Sequence, residues 1–169
     1  LWGRGCTSPA AETAVTLTRA DVEGKTQTEE DAVVATITCV PDYEFQNYDK
    51  PLNLTGMQAL VKVGRSAFRA AGTDDSNVDL SGSQLLESVE NSAFAYFPGQ
   101  ILFAHQTPPP NVGAWAFYYA GADDSKVALS GSQLPEIVEV YAFSSFLGPI
   151  RVTRMTFPPK HTPCQRSRG

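Results

Sequence analysis

Gly72-Thr-Asp-Asp-Ser-Asn-Val-Asp-Leu-Ser-Gly-Ser-Gln-Leu85 returns further along the chain as Gly121-Ala-Asp-Asp-Ser-Lys-Val-Ala-Leu-Ser-Gly-Ser-Gln-Leu134. Nineteen of the thirty positions in 72–101 are identical in 121–150, all at one fixed offset. A fixed period in this range marks stacked units rather than one closed globule. Function is then sought on a face of the stack, because solenoids more often bind than catalyse.

The period subdivides. Ala-Phe recurs at Ala67-Phe68, Ala93-Phe94, Ala116-Phe117 and Ala142-Phe143, so the steps between phenylalanines run long, short, long. Five positions before each lies a valine: Val63, Val89, Val112 and Val138. Further upstream is an apolar-x-apolar step at Leu52/Leu54, Val78/Leu80, Ile101/Phe103 and Val127/Leu129. Its period of two predicts a short strand with both apolar side chains on one side. Between strand and Ala-Phe, Pro108 to Pro110 and Pro135 occupy positions that a long helix does not tolerate, which predicts a turn or a single helical turn. No single unit this short buries its apolar side alone, so the Val, Ala and Phe positions must align into columns of one core. Three positions after each Phe come Ala71, Phe97, Ala120 and Phe146, small and large in alternation, which lets neighbouring coils interdigitate.

This pattern resembles the BspA-like (Treponema-type) leucine-rich repeat, best in residues 54–68 and 78–94, and the resemblance covers about 52–150. Two features depart from that family. Cysteine, frequent there three positions after the Phe, is replaced by Ala or Phe, and the Gly after Val is kept at Gly64 and Gly113 but is Glu90 and Glu139 elsewhere. The resemblance implies a right-handed, horseshoe-like leucine-rich-repeat solenoid with parallel strands on its concave side. It also implies an extracellular or cell-surface adhesive protein.

The expected organisation is a β-rich cap over 1–32, a solenoid over 33–157 and a polar tail or truncated repeat over 158–169. Within the solenoid, 33–51 is a degenerate first coil, 52–149 holds four clear repeats and 150–157 a partial fifth. The β expectation rests on the β-branched stretches 14–18 and 32–40, with a polar loop over 19–31. The chain starts with Leu1 rather than Met, so it is expected to be a processed or partial product, and where the repeats fade after Phe157 the expectation is either a frayed tail or a cut through a continuing repeat.

A net charge of −5 argues against nucleic acid as a partner. No apolar run reaches the roughly 18 residues of a membrane span. Three cysteines leave at least one unpaired; Cys6 and Cys39 could join in an oxidising compartment, or all three could be thiols. His105 and His161 have no partner at metal-ligand spacing, and no nucleophile-elbow motif is present. No catalytic residue, metal or cofactor is expected. Asp74-Asp75-Ser76 and Asp123-Asp124-Ser125 have the composition of ordinary turns.

With the apolar strand positions facing in, the outward stripe is Asn53, Asp79, Leu102, Ala128 and Arg151, followed by Thr55, Ser81, Ala104, Ser130 and Thr153. It is the expected site for a protein ligand on a host or neighbouring surface. A structural spacer that displays another domain is the second expectation. The densest aromatic cluster, Trp115, Tyr118 and Tyr119, is a candidate second surface. Open strand edges make end-to-end self-association a further expectation.

Overall fold

The computed structural model describes residues 6, 14–103, 111–121, 128–129 and 137–145. Two parallel sheets run along a stack of coils, forming a β-solenoid. One sheet takes the valine step of each repeat: β1 (Cys39–Val40), β3 (Lys62–Val63), β5 (Ser88–Val89), β7 (Asn111–Val112) and β9 (Ile137–Val138), in that order. The other takes the apolar-x-apolar step: β2 (Asn53–Leu54), β4 (Asn77–Leu80), β6 (Gln100–Phe103) and β8 (Ala128–Leu129). The repeat pattern does not predict the valine sheet. Its strands are too short to show any alternation, so only their coil-to-coil hydrogen bonds define them.

The Ala-Phe segments make a third hydrogen-bonded side. Alternate amides donate to the next coil: Ser66 to the Asn91 carbonyl at 3.0 Å, Phe68 to Ala93 at 2.8 Å and Ala70 to Ala95 at 2.9 Å. The amides between them turn inward, Arg69 to Ser66 at 3.2 Å and Ala71 to Phe68 at 3.1 Å. This division requires left-handed backbone two positions before and after each Phe, as at Ser66 (φ 51°) and Ala70 (φ 50°), Ser92 (57°) and Tyr96 (59°), Trp115 (60°) and Tyr119 (48°). Non-glycine residues enter that region at a cost of about 1–2 kcal/mol each. The coil-to-coil ladder holds them there.

The core follows from the columns. Phe45, Phe68, Phe94, Phe117 and Phe143 form a spine with centroids 5.0–5.6 Å apart and planes within 12°. Such ring pairs add about 0.5–1.5 kcal/mol beyond area burial. The small–large alternation has the expected result. Fully buried Phe97 lies between coils, edge-on to Phe94 at 5.8 Å and to Phe68 of the preceding coil at 6.4 Å, where Ala71 leaves room.

The Gly/Glu alternation after the valine also has a cause. Asp42 Oδ1 accepts the Arg65 amide (2.8 Å), and one full period further along Asn91 Oδ1 accepts the Ala114 amide (3.1 Å). Each of these side chains lies over the following coil. A Cβ at Gly64 would sit 2.6 Å from Asp42 Oδ1 and 2.7 Å from the Val40 carbonyl, and one at Gly113 would collide with Asn91. Where no Asx side chain intrudes, a glutamate fits and bonds across coils: Glu90 to Lys62 at 3.1 Å, and Glu139 Oε2 to the Ala114 amide at 3.0 Å.

The cap differs from the β-rich expectation. Residues 14–18 contribute one parallel bridge, Thr16 to Cys39, and the expected loop and second strand are replaced by α1 (Arg19–Val22) and α2 (Gln27–Val34). Both helices start on a capping signal. The Thr18 amide and hydroxyl donate to Asp21 Oδ2 at 2.9 and 2.7 Å, and those of Thr26 donate to Glu29 Oε2 at 2.9 and 2.7 Å. Helix formation from these caps outweighs the β-branched content of 32–36, leaving Cys39–Val40 as strand. Helix α2 packs against β2, where the preceding coil would have put a strand.

Candidate functional surface

The outward stripe is only partly in one row. Asp79, Leu102 and Ala128 are side by side across β4, β6 and β8. Asn53 is not in that row, because the register pairs it with Asn77, which pairs with Gln100. The repeat alignment thus slips by two positions at the first strand: Leu54, not Leu52, faces Val78. Asn53 and Ser81 are exposed, and Thr55, Asp79 and Leu102 half-buried. Asp79 turns its carboxylate onto its own turn, where Oδ1 accepts the Ser81 amide at 2.7 Å. Ala104, Ser130, Arg151 and Thr153 lie outside the described residues, as do His105, His161, Cys164 and the second acidic turn.

The serines of the repeat have structural roles. Buried Ser76, the last residue of the Asp-Asp-Ser insertion, accepts the Leu52 amide at 3.1 Å and the Thr73 amide at 2.8 Å. Buried Ser83 donates to the Met57 carbonyl of the previous coil at 2.6 Å. Asp74 and Asp75 are exposed beside Ser76. Among the described residues no group of three or more His, Cys, Asp or Glu is placed to hold a metal ion.

The aromatic candidates come together more closely than the stripe. Tyr96 stacks on Tyr119 of the next coil with centroids 5.7 Å apart and planes 3° apart. Tyr118 stands edge-on to both, at 5.4 and 4.6 Å, and to Trp115 at 4.7 Å. Trp115 reaches Tyr141 of the following coil at 4.8 Å. Four of these rings are substantially exposed: Tyr96 47%, Trp115 38%, Tyr119 42% and Tyr141 61%. Desolvation among the rings, and then the phenols of Tyr96 and Tyr119, raise the Tyr118 phenol above the usual tyrosine range. The left-handed turns put these side chains outside while Phe94 and Phe117 point in. Tyr96 and Tyr141 fill the repeat columns of Tyr119 and Trp115 one coil away, a signal in the repeat alignment that places them beside the cluster once the coils stack.

Sequence context does not single out Arg19, yet it completes the first coil. Each Ala-Phe turn accepts amides from the coil before it, and the first has no such coil. The Arg19 guanidinium takes that place, donating from Nε to the Glu44 carbonyl at 2.6 Å and from Nη2 to the Gln46 carbonyl at 2.9 Å. Its own amide donates to Glu44 Oε1 at 2.9 Å. Cys6 and Cys39 form a disulfide with a Cα separation of 5.8 Å, tying the N-terminal segment to β1.

No described helix is long and apolar enough to cross a membrane. Comparison of the chain with protein-family models, with curated proteins and with solved structures found no match.

Proposed function

We propose that the chain is a leucine-rich-repeat module of the BspA-like kind that acts outside the cell, at a cell surface or secreted, by binding another protein. It acts by contact, without catalysis or a cofactor. The observation that carries this reading is the register of Asp79, Leu102 and Ala128, held side by side on a continuous parallel sheet. A backbone fixed by coil-to-coil bonds loses little freedom when a partner docks, which favours affinity. The Cys6–Cys39 disulfide supports the location, since such bonds persist in oxidising compartments.

The test is a binding screen of the purified chain against extracellular-matrix and cell-surface proteins, with Asp79→Asn and an Asp79→Lys/Arg151→Glu pair beside it. Asp79→Asn keeps the acceptor for Ser81 while removing the charge, so it separates ligand contact from turn stability. A bound protein lost in the charge-reversed pair supports the sheet as the site. Binding indifferent to both variants excludes it.

A spacer that displays another domain is the second reading. It is favoured by the small stripe residues and by the Asp79–Ser81 bond, which engages the one described acid of the row. A spacer tolerates insertion or deletion of one two-coil unit without loss of the parent protein's activity, whereas a binder does not.

A further inference from the structure

We infer that the aromatic edge formed by Tyr96, Trp115, Tyr118, Tyr119 and Tyr141 is a docking surface for a second copy of this chain, joined side to side about a twofold axis. It does not depend on the sheet stripe.

Three observations point to this occupant. The first is charge. The chain carries a net −5, so two copies repel. The turn positions two before and two after each Phe hold Ser92, Tyr96, Trp115, Tyr119, Tyr141 and Ser145, none of them charged, so repulsion is weaker there than over the charged remainder of the surface. Nearer the N-terminal end, Arg69 stands in the column of Tyr118. The second is self-complementarity. A twofold interface pairs each patch with itself. Phenols and serine hydroxyls both donate and accept, so each satisfies its own kind, as a one-sign charge does not. The third is rigidity. The rings stand on a turn ladder bonded coil to coil and pack on one another, so they lose little rotamer freedom on contact. Tyr and Trp dominate protein-interface hot spots for this combination of area and polar tip.

Area sets the strength. The four exposed rings offer on the order of 400 Å² per copy, from the exposures above and the usual size of buried aromatic side chains. A standard interface buries about 800 Å² per partner, so the rings supply half and the dimer is weak and reversible.

The repeats themselves supply the test variants. Serine already stands in the Trp115 column at Ser66 and Ser92, and alanine in the Tyr119 column at Ala70, so Trp115→Ser/Tyr119→Ala keeps residues that these left-handed positions accept. Sedimentation equilibrium over a concentration series is expected to give a monomer–dimer equilibrium in the micromolar range that stops at the dimer. The double variant is expected to weaken it at least tenfold with an unchanged circular dichroism spectrum. Tyr96→Ser is the second variant, with the same direction expected. A chain monomeric at every concentration overturns the inference. So does an association that grows beyond the dimer or survives both variants, which is the signature of coils stacking end to end.

Discussion

Two regions of the turn ladder use their side chains for different ends. At the N-terminal end the backbone edges are covered. Residues 15–17 pair with β1 and its approach, through the Leu17 amide to the Cys39 carbonyl (3.0 Å) and the Thr38 amide to the Val15 carbonyl (2.9 Å). Arg19 fills the missing donors of the first turn, and α2 packs on β2. From Tyr96 to Tyr141 the ladder instead displays rings to solvent. The first region uses polar groups to close backbone valences, and its changes should appear in stability. The second adds little to the core, and its changes should appear in association. Folding and surface are separable along one stack.

The largest effect should come from the spine that both regions share. Phe68→Ala removes a fully buried ring between Phe45 and Phe94, and should cost about 3–5 kcal/mol in urea unfolding. A cost under about 1 kcal/mol, the size of an ordinary surface change, would mean that the coils are not stacked on that column. Next is the cap staple. Cys6→Ser/Cys39→Ser opens a loop with a sequence separation of 33, and the same assay should show a loss of about 2–4 kcal/mol. An equal effect on dimerisation would break the separation between the two regions.

Arg19→Ala leaves the Glu44 and Gln46 carbonyls without their donors, and a loss of about 1–3 kcal/mol is expected. Lysine at this position should recover only part, because a point charge does not reproduce the two-pronged guanidinium. Trp115→Ser should stay within about 0.5 kcal/mol of the parent, as an exposed ring at a position where other coils carry serine.

The smallest effect is alkaline. The folded chain raises the Tyr118 phenol, so the folded state holds that proton more tightly than the unfolded chain. The resulting stability is complete below the ordinary tyrosine pKa of about 10 and is lost as pH rises through the folded value. Tyr118→Phe should flatten the decline in melting temperature above that pH. A decline identical in the variant would remove Tyr118 as its cause.

Much of this is legible in the repeat. The Phe spacing leads to the spine, and Ala71 against Phe97 to the interdigitation, because both depend on residue size at a fixed phase. The valine sheet is hidden because strands this short have no periodicity. The left-handed turns are hidden because Ser66, Tyr96 and Trp115 are not residues that signal them; tertiary bonding imposes that backbone. The helical cap does leave a signal, Thr18 with Asp21 and Thr26 with Glu29, but the β-branched run that follows pulls the expectation toward strand. The repeat alignment puts Asn53 in the Asp79 row because it assumes equal strand offsets, and the first coil is offset by two. Arg19 has no signal, since its role depends on the carbonyls of Glu44 and Gln46, far along the chain.

Amide hydrogen exchange followed by NMR tests the central claim, that cap and coils form one continuous hydrogen-bonded stack. The account predicts that Leu17, in the cap, and Phe68 and Phe94, in the turn ladder, exchange only through global unfolding, with a common free energy in the oxidised protein. Reducing the disulfide should release Leu17 first. Fast exchange at Phe68 and Phe94 while the amides of β3 and β5 stay protected would contradict the account, because the turn amides would then not be bonded from coil to coil.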